Sequence, residues 1–121
     1  MVAEILVVDD NSLIRNLLDK ILAREGYEVI LASNAEEAIE LAYIRSPRVI
    51  VMDINMPGID GLEACKRLKT IKKTQSIPVI LMTGFELYEM AAIEAGADSF
   101  MTKPFDVSEI TKRVSLLIRP R

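Results

Sequence analysis

The sequence predicts an α/β fold, a doubly wound, five-stranded parallel sheet with helices on both faces. Two observations carry that expectation. Short unbroken apolar runs recur along the chain and stop at polar or turn residues, as strands buried on both faces do. Between them lie stretches with apolar residues at helical spacing. Strand and helix alternate from end to end, five of each, which implies parallel pairing through right-handed crossovers.

The elements follow in order. Glu4-Ile5-Leu6-Val7-Val8 reads as a first strand ending at Asp9-Asp10. A helix follows, with Leu13, Ile14, Leu17, Leu18, Ile21 and Leu22 forming an unbroken stripe. Asn11 or Ser12 is suited to cap its start and Gly26 its end. Tyr27 to Ala32 is a second strand, and Asn34 with Glu37 makes a capping box for a helix through Arg45. Ser46-Pro47 stops that helix. Val49-Ile50-Val51-Met52 then runs straight into Asp53, followed by Ile54-Asn55-Met56-Pro57-Gly58. A third helix is expected from Gly61 to about Lys72, with Leu62, Cys65, Leu68 and Ile71 inward. Ile77 to Met82 is a fourth strand with Thr83-Gly84 at its carboxyl end. A short helix spans about Glu86 to Ala95 and stops at Gly96. Asp98 to Thr102 is the fifth strand, leading to Lys103-Pro104. Asp106 and Glu109 cap a last helix, with Phe105 and Ile110 placed as a hydrophobic staple.

Composition narrows the function classes. At 121 residues, 50% hydrophobic and 27% charged, the chain is globular and of single-domain size. A net charge of −3 gives no bulk attraction for nucleic acid. A single cysteine, Cys65, excludes an internal disulfide and fits a reducing, cytoplasmic setting. No apolar run reaches membrane-spanning length, so no membrane association is expected. The absence of histidine removes Ser-His and Cys-His catalysis and the usual zinc ligand sets. Arg119-Pro120-Arg121 is a candidate linker start, so residues 1–121 are read as one domain with room for a further one after it.

Residues with chemistry gather at the carboxyl ends of the strands: Asp9, Asp10, Asp53, Thr83 and Lys103. In a doubly wound sheet those ends converge on one crevice. Three carboxylates there repel one another unless a cation joins them, and hard oxygen ligands suit Mg²⁺, which usually comes with a phosphate. A lysine can pair with that phosphate and a threonine hydroxyl can donate to it. Asp53, alone on its strand, is the candidate nucleophile, able to become an aspartyl phosphate.

Val7-Val8-Asp9-Asp10, Met52-Asp53-Ile54-Asn55-Met56-Pro57-Gly58, Met82-Thr83-Gly84, Ala95-Gly96-Ala97 and Lys103-Pro104-Phe105 together resemble the receiver domain of two-component response regulators. The resemblance covers essentially the whole chain. It implies a flavodoxin-like strand order 2-1-3-4-5, and phosphorylation of Asp53 by a histidine kinase or phosphotransfer protein. It further implies that Asp10, Asp53 and the Asn55 backbone carbonyl hold Mg²⁺ directly, Asp9 acting through water. Thr83 and Lys103 would contact the phosphoryl oxygens, Thr83 and Phe100 would form a switch, and Lys103-Pro104 would be a cis peptide. The chain is then a regulatory phosphoacceptor rather than an enzyme, with the fourth helix, fifth strand and fifth helix as output surface. Two features depart from the family pattern on that side: Gly84-Phe85 after Thr83, and a Thr83-to-Lys103 stretch roughly two residues short.

Other readings compete. Asp9 and Asp10 could simply favour a helix start, Thr83 a strand, and Phe100 and Cys65 the core. Lys66, Arg67, Lys69, Lys72 and Lys73 read as a solvated face of the third helix, without the interleaved aromatics of a nucleic-acid surface. An aspartyl-phosphate phosphatase wants a second acid two residues after its nucleophile, where this chain has Asn55. A flavin carrier needs a glycine- and hydroxyl-rich first loop, where this chain has Asp9-Asp10. A phosphorylation-independent binding module would be expected to lack part of the acid, threonine and lysine set. On the output side, Glu86, Glu89 and Glu94 fall on the expected fourth helix and Lys112, Arg113 and Arg119 on the fifth, which makes a phosphorylation-dependent homodimer one candidate output and an unrelated protein partner another.

Overall fold

The structure, a computed structural model, describes residues 2–118. Five strands, β1 (Glu4–Val8), β2 (Glu28–Ala32), β3 (Val49–Asp53), β4 (Val79–Thr83) and β5 (Ser99–Thr102), form one parallel sheet in the order β2-β1-β3-β4-β5. They alternate with α1 (Ser12–Arg24), α2 (Ala35–Arg45), α3 (Gly61–Thr70), α4 (Glu89–Glu94) and α5 (Val107–Leu117). A 3-10 turn, Glu86–Tyr88, precedes α4.

Alternation along the strands divides the core in two. Leu6, Ile50, Met52 and Leu81 face α2, α3 and α4, where they meet Ala38, Ala42, Ala64, Cys65, Leu68 and Ala92. Ile5, Val7, Val49, Val51, Ile80 and Met82 face α1 and α5, against Leu18, Leu22, Ile110 and Val114. All five residues of β3 are therefore buried, which is why its sequence is an apolar run rather than an alternating one.

The helix ends follow from local chemistry. Asn11 accepts from the N–H groups of Leu13 and Ile14, so it, rather than Ser12, caps α1. Asn34, Asp60 and Asp106 cap α2, α3 and α5 by accepting from the N–H three residues on. Helices α1 and α4 both close in a Schellman arrangement, with Gly26 (φ 91°) and Gly96 (φ 93°) in the left-handed conformation that glycine adopts without strain.

Several element ends differ from the sequence expectation. Tyr27 belongs to the α1 closure, its N–H reaching the Leu22 carbonyl, so β2 starts at Glu28. Helix α3 ends at Thr70, not near Lys72, and Ile71 is extended and half-buried. A side-chain bond ends it: buried Thr74 donates its hydroxyl to the Leu68 carbonyl at 2.7 Å, which fixes the chain's exit. Ile77 precedes β4, and Asp98 precedes β5 because its carboxylate caps Val79 N–H at 2.9 Å. Glu86 lies in the 3-10 turn rather than in the fourth helix. In α1 the stripe is wider than the core it meets: Leu13 (78%) and Leu17 (50%) are exposed at one edge of it. Lys69 is not on a solvated face, since its ammonium holds the Ile77 carbonyl at 2.8 Å and Asp98 at 2.9 Å. Phe105 and Ile110 join the same apolar cluster, as a staple does. The proposed linker Arg119-Pro120-Arg121 lies outside the described residues.

Candidate functional site

The sheet's hydrogen-bond ladder continues past the strands and fixes the loops that carry the polar residues. Asp9 N–H donates to the Ala32 carbonyl at 3.2 Å, Ile54 N–H to Met82 at 2.8 Å, and Lys103 N–H to Thr83 at 2.7 Å. Each bond joins the end of one strand to its neighbour, so Asp9, Asp53, Thr83 and Lys103 are set by backbone pairing.

Asp9, Asp10 and Asp53 each bring a carboxylate oxygen to within 4.8 Å of the others, the one such acidic cluster among the described residues. Asp9 and Asp53 are buried and Asp10 is exposed. The Lys103 ammonium sits 3.2 Å from Asp9 Oδ2 and 3.2 Å from Asp53 Oδ1. Asp9 Oδ1 also accepts from Asn11 N–H at 2.9 Å, which leaves this buried carboxylate partnered on both oxygens. The Lys103–Pro104 peptide is cis.

Burial pushes the Asp53 carboxyl above its usual value; Lys103 opposes that shift, while Asp9 and Asp10 add to it. Burial lowers the Lys103 pKa, but Asp53 and Asp9 outweigh it and hold the ammonium above the usual lysine range. Three carboxylates against one ammonium leave the crevice short of positive charge. An all-oxygen donor set with one exposed member fits a hard divalent cation that retains water, so these residues suit the ion the sequence implied.

Thr83 is fully buried at the end of β4. Its hydroxyl donates to Asn55 Oδ1 at 2.6 Å and accepts from Phe85 N–H at 3.3 Å. Asn55 is exposed between buried Ile54 and Met56 just after β3, where Met56 N–H returns to the Ile54 carbonyl at 3.1 Å. Phe100 stays outside the cluster. It is opposite Leu81 in the sheet register, half-buried against the α2–α4 side. There it lines a surface cavity of about 310 Å³ with Glu89, Ile93 and Arg113. The Arg113 guanidinium is already committed to Ser99 at 2.8 Å and Glu109 at 3.2 Å.

Two contributors escaped the sequence reading. Arg15 reaches back from α1 to donate to the Asp9 carbonyl at 2.8 Å, a contact for which the helical pattern gives no signal. Gly61 opens α3 against the Asp53 strand end: a Cβ there would stand 2.3 Å from the Asp53 carbonyl oxygen. Glycine as the first residue of a helix, right after an aspartate cap, is the signal that could have found it.

The comparisons with known proteins agree with this geometry. The family profile of the response regulator receiver domain matches residues 5–115. The alkaline phosphatase synthesis transcriptional regulatory protein PhoP of Bacillus subtilis is 41% identical over 116 residues, 96% of this chain and 48% of that protein. The chain thus spans about half the length of this curated relative. A response regulator structure from Chloroflexus aurantiacus superposes with a TM-score of 0.93 at 33% identity, over 98% of both chains. The response regulator TrrA of Thermotoga maritima, solved in complex with Mg²⁺ and BeF, superposes with a TM-score of 0.85 at 37% identity, over 95% of this chain and 98% of that one.

Proposed function

The chain belongs to the response regulator receiver domain family of two-component signalling, and on that premise we propose that Asp53 is its phosphoacceptor. The observation that carries this reading is the meeting of Asp53 with two further carboxylates and the Lys103 ammonium at one strand end. A carboxylate oxygen of Asp53 attacks the phosphorus of a phosphorylated imidazole on a histidine kinase or phosphotransfer protein. The new O–P bond forms as the P–N bond breaks, and the electron pair leaves with the ring nitrogen.

Asp10, Asp53 and the Asn55 carbonyl would hold Mg²⁺, with Asp9 acting through water. Bound there, the ion would supply positive charge to the transferring phosphoryl oxygens. Lys103, kept charged by its two carboxylate neighbours, remains to pair with the phosphoryl group. Thr83 supplies a hydroxyl donor from β4. Its movement toward the phosphate opens space into which Phe100 turns, shifting a surface made of α4, β5 and α5 between two populated forms.

The role is regulatory: at most the chain takes a phosphoryl group from a small donor and later loses it by autodephosphorylation. A single cysteine, Cys65, which has no partner in the chain for a disulfide, fits a reducing cytoplasm. No helix among the described residues is long and apolar enough to cross a membrane. The output partner is either an effector protein or domain, or a second copy of this chain; of the basic residues on that side, Arg113 is tied within its own fold and Arg119 lies outside the described residues.

Incubation with acetyl phosphate and Mg²⁺ tests the assignment. Wild type should gain one acid-stable, base-labile phosphoryl group by intact mass, and Asp53→Asn should gain none. Equal labelling of the variant would refute it.

A further inference from the structure

The Thr83 hydroxyl has one proton to give, and in this structure it goes to a neighbour two residues past Asp53. The acceptor is Asn55 Oδ1 at 2.6 Å, while Phe85 N–H occupies a lone pair of the same hydroxyl at 3.3 Å. Thr83 is fully buried, so both bonds satisfy a group with no exposure of its own to solvent. Asn55 by contrast is exposed. Any donation from Thr83 to an oxyanion on Asp53 therefore begins with release of the Asn55 amide.

We infer that the Asn55 side chain is a latch on Thr83, a positioning residue that competes with the phosphoryl group for the same proton and so sets how readily the switch is thrown. The inference rests on the reading of Asp53 as phosphoacceptor. The exchange is uneven in the direction signalling requires. A phosphoryl oxygen carries charge, and hydrogen bonds to charged acceptors are roughly twice as strong as neutral ones. With the phosphate present Thr83 moves to it; with the phosphate gone the neutral amide recaptures the hydroxyl. The released Asn55 amide returns to water at little cost because it is already exposed.

The same exchange reaches the readout side. Phe85 N–H, bonded to the Thr83 oxygen, belongs to the residue that begins the 3-10 turn Glu86–Tyr88. Motion of Thr83 removes that acceptor and loosens the start of the turn. Asn55 thus acts through Thr83 on a segment from another loop.

A double-mutant cycle on the intact chain tests this, using the affinity for beryllofluoride at saturating Mg²⁺ for wild type, Asn55→Ala, Thr83→Val and the double variant. Asn55→Ala should bind beryllofluoride about 2- to 10-fold more tightly than wild type, the worth of one net hydrogen bond. In the Thr83→Val background, where no proton is contested, the same substitution should change nothing. Equal tightening in both backgrounds would assign the effect to easier access and overturn the latch, as would unchanged or weaker binding in Asn55→Ala. A wild-type protein that binds no beryllofluoride would overturn the Asp53 reading and the latch with it, whereas tight wild-type binding without coupling would remove the latch alone.

Discussion

Helix α3 and the 3-10 turn with α4 both follow a strand end at the acidic crevice and both cover the same face of the sheet, yet they are held very differently. Helix α3 has ten residues, an Asp60 cap and four buried positions, and Lys69 ties its last turn to Ile77 and Asp98. The next segment has a three-residue 3-10 turn and a six-residue helix, neither with a side-chain cap, and one buried position, Ala92. Phe85, Leu87, Met90 and Ile93 are all more than half exposed. The segment after Asp53 is built to stay still, and the segment after Thr83 is built to yield. Low-stability segments are the ones available to move in a switch, and this one is joined to Thr83 by the Phe85 bond.

The largest test of the contrast is truncation in each helix. Leu68→Ala, at a fully buried α3 position, should cost about 2–5 kcal/mol in urea unfolding. Ile93→Ala, at an α4 position 59% exposed, should stay within about 0.5 kcal/mol. Similar losses would erase the distinction.

Divalent metal should add to the still side. Mg²⁺ at one hundred times its dissociation constant should stabilise wild type by about 2.7 kcal/mol, since the acidic site exists only in the folded chain. The gain should fall sharply in Asp10→Ala. An equal gain in that variant would place the metal elsewhere.

A smaller effect comes from Asp53 itself in metal-free protein. Its folded carboxyl is raised by burial, so between the ordinary carboxylate value and the raised one the native state holds a proton that the unfolded chain has lost. Stability from this group is therefore fully present below the ordinary value and declines as pH rises through that window. Asp53→Asn should flatten the decline, as read from unfolding midpoints across acidic pH. An unchanged slope would show that the strain of burying Asp53 is not what the window reports.

The acid end of the sheet was legible because its carboxylates follow apolar runs and its lysine follows a strand end. Val49 to Met52 announces Asp53, Glu4 to Val8 announces Asp9 and Asp10, and the fifth strand announces Lys103. Parallel pairing and two-sided cover were equally readable from alternation of elements, whereas the strand order came from the family resemblance. What escaped depends on contacts between distant loops. The Asn55–Thr83 bond spans 28 residues, and Lys69 to Asp98 spans 29, so no local spacing encodes either. Leu13 and Leu17 fitted the helical period, but period describes a stripe and not how far a neighbour extends to cover it. The broken fourth helix escaped for a third reason: Glu86 to Ala95 has acceptable helix formers throughout, yet no cap residue precedes it to start a regular first turn.

Hydrogen exchange of the chain with and without Mg²⁺ and beryllofluoride puts the two segments side by side. The account predicts altered protection in residues 84–97 and 99–102, with α3 amides from 64 to 70 unchanged apart from a uniform gain in global stability. Altered protection confined to α3, or absent from both segments while the ligand is demonstrably bound, would contradict it.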